Sequence, residues 1–125
     1  VLVTLVGGAA GLVGVKADVD TTRDGEYAAT RAVAAARTAA FDAKANESLT
    51  LIARGSGAAF QEAWAASSEA VTTQFATLDA NLVATGLDEQ LWADYVAAHE
   101  EIRALDDSGD WDGAVDLATG LEEYR

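Results

Sequence analysis

The sequence predicts an all-α fold: an antiparallel up-down four-helix bundle, continuous with a transmembrane helix of which residues 1–15 are the C-terminal part. Three observations predict it. The 125 residues contain no Pro, and because Pro inside a helix costs about 3 kcal/mol, its absence favours long uninterrupted helices. Alanine, the strongest helix former, fills roughly a quarter of the chain. Apolar residues recur at three-four spacing, and β-branched residues never alternate with polar ones over a strand's length.

The lead, Val1 to Val15, reads VLVTLVGGAAGLVGV and carries no charge. A full bilayer crossing takes roughly 20 apolar residues, so the rest of the span is expected upstream of Val1. Gly7 and Gly11 form a G-x-x-x-G, a spacing that lets two membrane helices approach closely and would pair the chain as a homodimer. The alternative is a secretory signal peptide ending near Val15-Lys16-Ala17, although a lysine beside a cleavage point is unusual. Asp18, Asp20, Arg23, Asp24 and Glu26 mark the exit into water. Residues 16–125 are then an extracytoplasmic bundle with helices at about 19–53, 58–84, 88–105 and 111–125.

In helix one, Val33, Ala36, Ala40 and Ala43 recur at helical spacing, as do Phe41, Ala45, Ser48 and Ile52. Arg54 belongs to its last turn, where a cation suits the negative helix end, and Gly55 is its stop. Gly55-Ser56-Gly57 reverses the chain. Helix two carries the cleanest stripe: Phe60, Trp64, Ser67, Val71, Gln74 or Phe75, Leu78 and Leu82, a bundle seam. Gly86 ends it and Asp88 caps helix three, in which Leu91, Tyr95, Ala98, Ile102 and Leu105 repeat the spacing. Asp106 to Asp110 form an acidic turn, and Asp110 caps helix four, with Val115, Ala118 and Leu121 inward. Short turns force successive helices antiparallel. Helix three is shorter than helix two, so the acidic turn is expected partway up the bundle, and helix four is expected to be unfinished at Arg125.

Charge narrows the function. With 21 Asp and Glu against 8 Lys and Arg, the net charge is −13. Such a chain repels nucleic acid and differs from the basic helices that lie on anionic bilayers. The absence of Cys excludes a disulfide scaffold and a thiolate metal site. Asp110, Asp112 and Gly113 look like half of a calcium loop, but Thr119 stands where the closing glutamate belongs. His99 is the lone histidine; Val96 breaks the Glu-x-x-His spacing of a bundle di-metal site, and His99 is expected on a solvated flank. No nucleophile-base set is available, so an enzyme is not expected, nor any cofactor or metal. The remaining candidate is a distal polar patch on helix one, Arg37, Asn46, Glu47 and Arg54, meeting a protein partner or ligand; a solvated face with one register-setting contact explains the same letters.

Arg37-Thr-Ala-Ala-Phe-Asp-Ala-Lys-Ala-Asn-Glu-Ser-Leu49, with Gly109-Asp-Trp-Asp-Gly-Ala-Val115 after it, resembles the membrane-proximal half of actinobacterial GlnX-type membrane proteins, from about Val1 to Ala118. The resemblance implies a signalling or adaptor role that couples an extracytoplasmic solute-binding lipoprotein for glutamate-like amino acids to a cytoplasmic Ser/Thr kinase. It carries no ligand residues over. The layout is also similar to the four-helix sensor domains of chemoreceptors and histidine kinases, without a visible cytoplasmic signalling module. Trp111-Asp112-Gly113 is similar to the turn of small secreted WXG-type hairpins, which ties in with the signal-peptide alternative: a secreted helical effector.

Overall fold

The computed structural model describes residues 2–80 and 89–120, with side chains from residue 18 onward, and the regular elements among them are all helical. They are α1 (Leu2–Ile52), α2 (Ala58–Ala80), α3 (Glu89–Ser108) and α4 (Trp111–Thr119). The expected Asp88 cap, the Gly86 stop, Leu82 and Leu121 lie outside the described residues.

α1 is the dominant element. Its helical backbone passes through Lys16 into the uncharged lead, giving a helix of 51 residues, on the order of 75 Å long. Thr22, Thr30 and Thr38 turn their hydroxyls back to the carbonyls four residues earlier. Polar side chains on the solvent side are thereby satisfied locally and do not compete for the seam. Among the residues whose side chains are described, no helix is long and apolar enough to cross a membrane; Val1 to Val15, with Gly7 and Gly11, fall outside that set.

The inward face of α1 is an alanine heptad: Ala29, Ala32, Ala36, Ala39 and Ala43 are all buried. This bears out Ala36 and Ala43 but overturns the second expected stripe. Phe41 is 76% exposed and Ile52 72% exposed, and Ala45 and Ser48 are exposed too. Small residues win the seam because they let α2 approach closely, and Phe41 and Ile52 are left on the rim, while Leu51 is buried near the end of α1. On α2 the expected stripe holds: Trp64, Val71 and Leu78 are buried, with Phe60, Ser67 and Phe75 half-buried.

The α1–α2 contact runs from Thr50 beside Gly57 at one end to Ala29 and Ala32 against Leu78 at the other. At Gly57 a Cβ would stand 2.9 Å from the Thr50 Cα, so only glycine allows this approach. Arg54 lies beyond the end of α1, not in its last turn, with a left-handed φ of 42°.

α3 runs on through Asp106 and Asp107 to Ser108, so most of the expected acidic turn is helix. The α3–α4 turn does not sit partway up the bundle. Trp111 reaches the α1–α2 turn, donating its indole N–H to the Leu51 carbonyl at 2.8 Å. Asp110 caps α4 as expected, accepting from the Gly113 N–H at 3.1 Å. The helix is not left unfinished: Gly120 adopts φ 67° and its N–H returns to the carbonyls of Asp116 and Leu117, a left-handed C-cap.

Two apolar clusters result. Ala29, Ala32 and Leu78 form one, flanked by Val33 and Phe75. Leu51, Ile102 and Ala114 form the other, flanked by Leu105, Val115, Leu117 and Ala118. The stretch of α1 between them carries Glu47.

Candidate functional site

Glu47 and His99 are each 1% exposed, and the Glu47 Oε2 lies 2.7 Å from the His99 Nδ1. The imidazole Nδ1–H donates to the carboxylate, and the Gln61 amide nitrogen lies 3.2 Å from the other ring nitrogen, Nε2. Trp64 covers the ring from α2, its plane 8° from that of His99 with centroids 3.6 Å apart. The Trp64 indole N–H donates to the Tyr95 hydroxyl at 3.1 Å. From α1, the Lys44 ammonium donates to the Glu47 Oε1 and to the Ala118 carbonyl of α4 at 2.9 Å. One joint therefore fastens all four helices. Among the described buried side-chain atoms, only the Gln61 Oε1 has no partner.

The electrostatics follow. Burial alone pushes the Glu47 carboxyl up, but the hydrogen bonds from His99 and Lys44, with their charges, more than offset it and hold the group below the ordinary carboxylate range. Burial, with the Glu47 carboxylate beside it, pushes the Tyr95 phenol up to about 12 against a pull downward from the Trp64 N–H.

His99 was expected on a solvated flank, and the structure corrects this. The lone histidine is buried because a single carboxylate on another helix satisfies it. A signal existed in the sequence. Continuing the Val33, Ala36, Ala40, Ala43 stripe by the same steps reaches Glu47 and Thr50, both buried. Likewise Tyr95, His99 and Ile102 continue one face of α3.

Beside this joint opens a groove of about 430 Å³. Ala36, Val71, Phe75, Trp92 and Tyr95 line it, with Phe41 and Leu91 exposed at its margin and Arg37 and Lys44 supplying positive charge. Trp92 and Tyr95 face each other with centroids 5.0 Å apart. A second, more polar groove of about 530 Å³ lies at the turns, lined by Thr50, Arg54, Gln61, Arg103, Asp106 and Trp111 among others. There the Arg54 guanidinium sits 3.9 Å over the Trp111 ring, and Arg103 pairs with Asp106 and Asp107.

The expected distal patch is thus divided. Arg37 lines the first groove and Arg54 the second, roughly 25 Å apart along a helix rise of 1.5 Å per residue. Asn46 is half-buried and donates to the Asp42 carbonyl of its own helix. Glu47 faces the core rather than solvent. Among the described residues, no group of three metal-ligating side chains comes together. The Glu47–His99 couple has the parts of an acid-base pair, and it is sealed beneath Trp64. Compared with known protein families, with curated proteins and with solved structures, the chain finds no match.

Proposed function

We propose that the chain is a non-enzymatic sensing or adaptor domain of a membrane protein. Residues 1–15 form the end of a transmembrane helix, and residues 16–125 form an extracytoplasmic, antiparallel up-down bundle. A ligand or protein partner, such as a solute-binding protein, engages the end of the bundle that holds Lys44 and Glu47, and α1 carries the effect to the bilayer. Gly7 and Gly11 offer a contact for a second copy. The observation that carries this reading is the unbroken helix Leu2–Ile52, which links the uncharged lead to the joint where Lys44 and Glu47 meet α3 and α4.

A rod of this kind transmits a shift of about 1–2 Å when its packing has two arrangements of similar energy. The alanine heptad favours that, because small side chains interlock weakly.

The chain has no Cys, so a single Ser56→Cys, at an exposed position in the α1–α2 turn, reports its side of the membrane. In cells expressing the protein from its own gene, a membrane-impermeant maleimide should label it without lysis, and it should remain in the washed membrane fraction. Labelling only after lysis would overturn the reading. A released protein whose mature N-terminus lies near Lys16 would replace it with the secreted-effector alternative.

A further inference from the structure

We propose that the groove beside Lys44 binds a small amphipathic anion, a molecule with one carboxylate or equivalent oxyanion on an aromatic or branched apolar body. This rests on the reading that this end of the bundle receives a ligand, and it names the ligand's chemistry.

In a chain of net charge −13, the described lining of this groove holds Arg37 and Lys44 and no carboxylate. Arg103, by contrast, is held between Asp106 and Asp107. Arg37 is exposed and makes no ion pair among the described residues. Lys44 spends two of its three N–H donors on Glu47 and Ala118, and its half-exposed ammonium keeps one free. Two cations with spare donors, in a groove whose described lining carries no carboxylate, suit an oxyanion.

The apolar wall specifies the rest of the molecule. Phe41 and Leu91, 76% and 67% exposed, flank half-buried Phe75, Trp92 and Tyr95. Large apolar side chains clustered at a concavity mark a binding surface more often than scattered ones do. About 430 Å³ falls in the range of small-molecule sites, roughly 300–1,000 Å³. A protein partner would need a far broader face, about 800 Å² on each side. The tilted Trp92–Tyr95 pair offers both a ring face and a ring edge to an aromatic body. Lys44 also ties the groove to the joint, since an anion drawing on its ammonium competes with Glu47 and with the α4 carbonyl.

The test uses the whole chain in nanodiscs of zwitterionic lipid, labelled with 5-fluorotryptophan to give separate signals for Trp64, Trp92 and Trp111. The probes are 4-phenylbutyrate, its uncharged amide and 4-phenylbutylamine. Phenylbutyrate should shift the Trp92 signal saturably, leave Trp111 unmoved, and bind at least about tenfold tighter than the amide. Arg37→Ala should remove that preference at unchanged melting temperature. Equal affinity for the amide or the amine, movement of Trp111 instead of Trp92, or no saturable shift would each overturn the proposal. Binding without surface labelling of Ser56→Cys leaves this site standing and sinks the membrane reading; labelling without binding does the reverse.

Discussion

α1 meets the rest of the bundle in two ways along its length. Toward Leu78 its inward face is alanine, and the contact is close, apolar and without direction. Fifteen residues further along, at Glu47, the face turns polar, and a carboxylate, an imidazole, an amide, an indole and a phenol engage one another across three helices. An alanine heptad tolerates a slip, because alanine replaces alanine. The Glu47–His99 bond exists in one register only. Burying such a couple adds little net stability, since desolvation offsets the attraction, but leaving one member without the other is expensive. One region permits movement and the other counts position.

The largest way to break this contrast is Glu47→Ala. It strands the buried His99 and frees Lys44, so unfolding in urea should fall by about 3–5 kcal/mol. A smaller effect is expected at the alanine end. Ala32→Leu overpacks the close approach to α2 and should destabilise by roughly 1–3 kcal/mol, leaving the Glu47–His99 bond intact. If the two substitutions ranked the other way, the alanine seam would be the tighter lock.

The smallest effect is in pH. The folded pKa of Glu47 lies below its ordinary value of 4.5, so its contribution is present above 4.5 and is lost as pH falls through the folded value. Tyr95 runs oppositely. Raised from 10 to about 12, it favours folding fully below pH 10 and loses that advantage as pH rises through about 12. Melting temperatures measured across both ranges should decline at each end, and Glu47→Ala should flatten the acid limb.

The helices themselves were legible in the sequence, because composition and three-four spacing act locally. The Trp64, Val71, Leu78 stripe and the Asp110 cap could be read directly. The turn of α1's face was not, because the eye follows large apolar residues such as Phe41 and Ile52, whereas the seam selects for small ones. Glu47 and His99 went unpaired in the sequence for a further reason. Each by itself looks like a solvated side chain, and only the meeting of α1 with α3, 52 residues apart in the chain, brings the two together. That pairing also changes how the distal patch is probed. Replacing Glu47 tests the fold, whereas replacing Arg37, exposed and unpaired among the described residues, tests binding.

Glu47 and His99 act as one joint that sets the register of α1 against α3. A double-mutant cycle measures it directly: Glu47→Ala, His99→Ala and the pair, each unfolded in urea at neutral pH. Strong non-additivity is expected, with the double variant no less stable than the worse single variant and a coupling of about 1–3 kcal/mol. Additive losses would mean that the two residues are buried side by side without depending on each other, and the joint would be no joint at all.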